Sequence, residues 1–144
     1  MSGPAGLLLD TPVVAEVRGA SPDPDVVSFL RSRSHLRVFV SAVTIGELDS
    51  PENPAGWLDE LIRRFSGNIL PVDHQVALRW RTLPEVPQSA ETPPGDTRGA
   101  LRSLIAATAM ENGLAVITPE TAAFAAYGAY AVSPFRPSGA AQGM

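Results

Sequence analysis

Leu7-Leu8-Leu9-Asp10-Thr11-Pro12-Val13-Val14 puts the end of a buried strand directly against the start of a helix. Gly6 and the three leucines form a short apolar run that stops at an acid. Thr11 is placed to cap a helix. Pro12 suits its first position, where the missing N–H would have had no partner. Val13, Val14 and Val17 give that helix an apolar side, and Gly19 ends it. A buried strand feeding a helix is the opening of an α/β unit.

The alternation continues outward from there. Residues 23–32 form a helix with Val26, Val27, Phe29 and Leu30 on its buried face, and residues 36–40 form a second strand. A short helix carries Val43, Ile45, Glu47 and Leu48, and residues 50–54 break the chain with two prolines. Trp57, Leu58, Leu61, Ile62 and Phe65 recur at helical spacing until Ser66-Gly67-Asn68 stops them. A third strand over 69–72 follows, then a helix capped by Asp73 and running through Val76, Ala77 and Trp80. Trp57, Phe65 and Trp80 fall on apolar helix faces and read as core, not as platforms for stacked bases. Pro84, Pro87, Pro93, Pro94 and Gly95 make residues 84–97 a loop within one domain. The helix over 98–112 is apolar almost all round, so it is expected to be central and buried. Gly113 ends it, residues 114–117 form a strand, Thr118-Pro119 starts a short helix, and 129–132 form a last strand. One α/β domain is expected over 1–136, with a central, mainly parallel sheet flanked by helices. A small, polar, disordered tail is expected over 137–144. In open sheets of this kind ligands bind beyond the carboxyl ends of the strands.

Composition narrows the function. The chain has 144 residues, 44% of them hydrophobic and 18% charged, which suits a folded globule with a real core. There is no cysteine, which excludes disulfides, cysteine-bound zinc and thiol nucleophiles. All 11 basic residues are arginine, so P-loop and Schiff-base lysine chemistry are excluded too. The net charge of −4 gives no basic field for nucleic acid. The local arginine groups (31, 33 and 37; 63 and 64; 79 and 81) read as solvated helix faces and strand ends. No apolar run approaches a bilayer's ~20 residues. Residues 1–9 lack the basic stretch of a secretion signal, so the expected location is the cytoplasm.

Three acids stand at or just after predicted strand ends: Asp10, Glu47 and Glu120. Carboxylates converging from separate elements suit Mg²⁺ or Mn²⁺, hard cations that generate hydroxide and stabilise charge in phosphodiester cleavage. Each acid also has a plain structural reading. Asp10 and Glu120 lie where a helix dipole favours negative charge, and Glu47 is an ordinary helical acid. His35 and His74 have no partner at ligand spacing.

Three segments, taken in order, resemble PIN-domain toxins of the VapC/FitB type. They are Leu7-Leu-Leu-Asp-Thr-Pro-Val-Val-Ala-Glu16, Ser41-Ala-Val-Thr-Ile-Gly-Glu-Leu48, and the stretch from Leu104 to Thr118 followed by Phe124, Gly128 and Val132-Ser-Pro-Phe135. The resemblance implies a PIN-like three-layer fold, Mg²⁺- or Mn²⁺-dependent cleavage of single-stranded RNA, a homodimer and an antitoxin partner. It places the family's first two acids, the metal ligands, on Asp10 and Glu47. Glu120 becomes the late oxygen ligand, and Thr44 and Thr118 become hydroxyls that steady the site.

The resemblance also exposes departures. The third acid, two residues before Leu104, is Arg102; a late acid position is Ala123; the Asn usual after Asp-Thr is Pro12. Asp96 precedes the helix by too much to replace the missing acid. An arginine pointing inward at 102 needs a carboxylate partner, because an unpaired buried charge is very costly. Asp10 or Glu47 is the expected partner, and poor metal binding the expected result. Two functions follow: an active endoribonuclease with a reduced acid set, or a catalytically inactive PIN-fold module that needs no metal and works through protein or RNA binding.

Overall fold

The computed structural model describes residues 3–86 and 97–135. In chain order the elements are β1 (Gly6–Leu9), α1 (Thr11–Val17), α2 (Pro24–Ser32), β2 (Arg37–Ser41), α3 (Ala42–Leu48) and α4 (Trp57–Arg64). They continue with β3 (Ile69–Leu70), α5 (His74–Trp80), α6 (Arg98–Asn112), β4 (Leu114–Ile117), α7 (Thr121–Ala126) and β5 (Ala131–Val132). The strands form one sheet in the order β3-β2-β1-β4-β5, and every pairing is parallel. This is the α/β sheet flanked by helices that the alternation predicts.

β1 lies in the middle, which is why its four residues are all buried. Period-two alternation sends Leu7 and Leu9 to one face and Leu8 to the other. The first face packs against Val13 and Val14 of α1, Val26 of α2 and Leu61 of α4. The second packs against Ile105, Ala106 and Ala109 of α6 and Phe124 of α7. Small residues on α6 let that helix lie close to the sheet, and Gly113 ends it with φ +67°.

The helix over Arg98–Asn112 and the strand over Leu114–Ile117 fall where the sequence puts them; several other boundaries move. Asp10, not Thr11, caps α1, with its carboxylate accepting the Thr11 N–H at 2.9 Å. α7 starts at Thr121, two residues past Pro119, because the Thr118 hydroxyl accepts the Glu120 N–H at 3.0 Å and holds the chain in a turn. β2 is shifted one residue later, since the Leu36 N–H closes a turn onto the Arg33 carbonyl. β3 stops before Pro71, which has no N–H to give a ladder. β5 begins two residues late, since the Ala129 N–H still bonds the Phe124 carbonyl behind it.

Trp80 is not core. It is 43% exposed, with its indole N–H donating to the Ser103 hydroxyl at 2.8 Å. α5 is short and packs on α6 with Val76 buried, while Leu78 and Trp80 stay exposed. Trp57 and Phe65 are half-buried against the first core face. Most of the 84–97 loop, including Asp96, and the 137–144 tail lie outside the described residues. No helix among the described residues is long and apolar enough to cross a membrane.

Candidate functional site

Topology builds the site. From β1 the chain moves to β2 on one side and later returns to β4 on the other, so the carboxyl ends of β1 and β4 flank a switch point where such sheets bind ligands. Leu9 pairs with Val40 and with Ile117, so Asp10 and Thr118 leave the sheet side by side, next to Ser41 at the end of β2. All three are buried.

Asp10 is held from two directions. One oxygen accepts the Thr11 N–H at 2.9 Å, and the other accepts the Thr118 hydroxyl at 2.8 Å. Burial pushes the carboxyl above its ordinary range. The Thr118 and Thr11 bonds pull it back, while the negative charges of Glu120 and Glu47 push weakly in the same direction as burial.

Glu47 comes from the last turn of α3 and is exposed. The Thr11 hydroxyl donates to its Oε1 at 2.5 Å. Thr11 has one hydroxyl proton, so the buried Thr44 hydroxyl, 3.0 Å away, donates to the Thr11 oxygen. Thr44 therefore fixes Thr11, and Thr11 fixes Glu47. This link is invisible while Thr11 is read as a helix cap.

Arg102 rises from the second turn of α6. Its guanidinium donates to a Glu120 carboxylate oxygen at 2.5 Å, and the side chains are 27% and 46% exposed. The expected pairing with Asp10 or Glu47 does not form. Both of those carboxylates already have donors, whereas Glu120 makes no side-chain cap bond to α7. Asp10, Thr11, Pro12, Ala15, Glu47, Arg98, Arg102, Ile105 and Glu120 together line one cleft of about 280 Å³. Arg98 is a cleft residue that the motif reading did not single out. Its signal was its spacing, four residues before Arg102 on one helical face. Ala123, at the other late position, lies in α7 and brings no ligand atom.

This donor set does not fit a divalent cation. Mg²⁺ and Mn²⁺ need several converging oxygens. Among the described residues no group of three His, Cys, Asp or Glu side chains is disposed to hold a metal ion. A divalent ion ~5 Å from a guanidinium, at an effective dielectric near ~20, meets roughly 6–7 kcal/mol of repulsion before solvent screening reduces it.

No family model matches the chain. Individual proteins do. The VapC ribonuclease Y4jK of Sinorhizobium fredii is 30% identical over 145 aligned positions, covering 92% of this chain and 99% of that protein. The chain belongs to the VapC/FitB family of PIN-domain toxins. Toxin FitB of Neisseria gonorrhoeae is 31% identical over 129 positions, covering 82% of this chain and 90% of that one. The solved structure of FitAB bound to an IR36 DNA fragment superposes with a TM-score of 0.69 at 28% identity, over 91% of this chain and 96% of that one. The motif resemblance places acids at the strand ends. It does not account for Arg102 among them.

Proposed function

We propose that this chain is the toxin-side member of a toxin–antitoxin pair that has kept the PIN fold and its cleft but not metal-driven RNA hydrolysis. It acts by binding an antitoxin and single-stranded RNA. One observation carries this reading: a permanently charged arginine is ion-paired with Glu120 inside the cleft that also holds Asp10 and Glu47. An antitoxin partner is supported by the likeness to FitAB. A homodimer in the cytoplasm is part of the same proposal, motivated by Leu78 and Trp80, which α5 leaves exposed. Sedimentation returning only monomer at high concentration removes the dimer.

A second reading, an endoribonuclease dependent on Mg²⁺ or Mn²⁺ and working with Asp10, Glu47 and Glu120, is favoured by the threonine network that fixes the first two carboxylates. Incubating purified protein with single-stranded RNA and excess Mg²⁺ or Mn²⁺ separates the two. Retention of intact RNA on a filter is expected. Metal-dependent cleavage that Asp10→Asn abolishes selects the second reading.

A further inference from the structure

We infer that the amino edge of the sheet, opposite the cleft, docks the phosphate backbone of single-stranded RNA on Arg31, Arg33, Arg37, Arg63 and Arg64. This rests on the RNA-binding part of the proposed function and names where the strand is held.

The sequence separates these arginines into two groups, and the fold joins them. α2 and α4 pack on the same sheet face, through Val26 and Leu61, and each leads into the parallel strand that follows it, β2 and β3. Both helices therefore run back along the strands and end at the amino edge. Arg31 stands in the last turn of α2, Arg63 and Arg64 stand in the last turn of α4, and Arg37 opens β2. The groups meet at Asn68, in the turn after α4. Its side-chain oxygen accepts from the Arg37 guanidinium at 2.6 Å, and its side-chain N–H donates to the Val38 carbonyl at 3.1 Å. Arg31, Arg37, Arg63 and Arg64 are exposed, and Arg33 is half-buried.

Helix C-termini favour cations, which explains why arginines stand here. It does not explain why they lack counter-charges. Arg18, Arg79 and Arg102 each hold a glutamate, but among the described residues none of these five forms an ion pair. The acids lie at the other end: Asp23 and Asp25 at the start of α2, Asp59 and Glu60 at the start of α4, and the cleft carboxylates. With a net charge of −4 the chain as a whole repels a polyanion, so any attraction has to be local. The amino edge supplies it. Two of its guanidiniums also lie over aromatic rings, Arg33 at 3.6 Å from the centre of Phe29 and Arg37 at 4.8 Å from that of Phe39. A guanidinium plane held in this way is a stacking surface for an unpaired base, which a single strand offers and a duplex does not.

Filter binding of a labelled single-stranded RNA across a salt series, without divalent ions, tests this on the full chain. Wild type is expected to lose affinity with a log–log salt slope near ~3.5, the value for about five phosphate contacts on a single strand. Arg31→Gln, Arg63→Gln and Arg64→Gln combined are expected to weaken binding at least about tenfold at low salt and to remove about 2 from the slope. Lysine at the same three positions is expected to restore both, because phosphate reads the charge. If circular dichroism shows the glutamine triple unfolded, Arg64→Gln alone must still lower the slope by about 0.7. A folded glutamine variant that binds like wild type with an unchanged slope overturns the inference and leaves the proposed function standing. So does displacement of the RNA by a DNA duplex or by polyglutamate at equal charge concentration, which assigns the edge to another polyanion. Metal-dependent cleavage by wild type, weakened in the glutamine triple through KM and not kcat, defeats the proposed function and leaves the inference standing. No retention of RNA by wild type overturns both.

Discussion

Asp10 caps α1, anchors the end of β1 to Thr118 and supplies the most buried acid of the cleft. Because burial raises its folded-state pKa, the native protein holds this proton more tightly than the unfolded chain does. Its contribution to stability is therefore full below the unfolded value near ~3.9 and is lost as pH rises through the folded one. Asp10→Asn is neutral at every pH and escapes that loss. Its unfolding free energy minus that of wild type is expected to grow from about pH 3.5 to pH 7 in urea titrations. A difference that stays flat or shrinks contradicts the assignment of burial as the dominant cause. The sequence exposed Asp10, Glu47 and Glu120 because each stands beside a strand end, and it exposed Arg102 because a cation stands where the family has an acid. It could not show that Arg102 chooses Glu120. That depends on how close α6 comes to the β4–α7 turn, and on Thr11 and Thr118 having already claimed the other acids.

Among the elements, β1 tolerates least, because it is paired on both edges and covered on both faces. Gly6 is where this tightness is greatest. An added Cβ there would stand 2.7 Å from the Arg37 carbonyl oxygen, 3.1 Å from the Phe39 ring and 3.2 Å from Leu114. The nearest atom is backbone of the neighbouring strand and cannot rotate aside. Gly6→Ala is expected to destabilise by about 1–3 kcal/mol, the usual range for overpacking, despite alanine's better strand entropy. Urea titration checks it, and a neutral or stabilising result means that the β1–β2 approach is looser than described. Local signals located α6 and β4, since a long apolar helix, a left-handed glycine and an apolar run are all written into consecutive residues. The edge strands β3 and β5 are two residues each. Their ends are set by partners across the sheet, Val40 and Ser41 for one and Val116 and Ile117 for the other, and no local pattern records that.

At the scale of the whole molecule, a PIN-toxin frame holds a charge arrangement unlike the acid cluster its family motif implies. The sheet brings Asp10 and Thr118 together, α3 brings Glu47, and α6 brings Arg102 across the same opening to Glu120. Trp80 shows how a helical face can mislead: its spacing is that of a core residue, yet α5 lies at the rim and leaves the ring 43% exposed. The proposed function turns on an Arg102–Glu120 ion pair, not a metal ion, standing among the acids of the cleft. Its most direct test is a crystal of the wild-type chain soaked in Mn²⁺ and measured for anomalous scattering at the manganese edge. A map without a peak between Asp10 and Glu47, with the Arg102–Glu120 ion pair intact, is the expected result. A manganese peak bound by Asp10 and Glu47, with Arg102 swung out of the cleft, would contradict it.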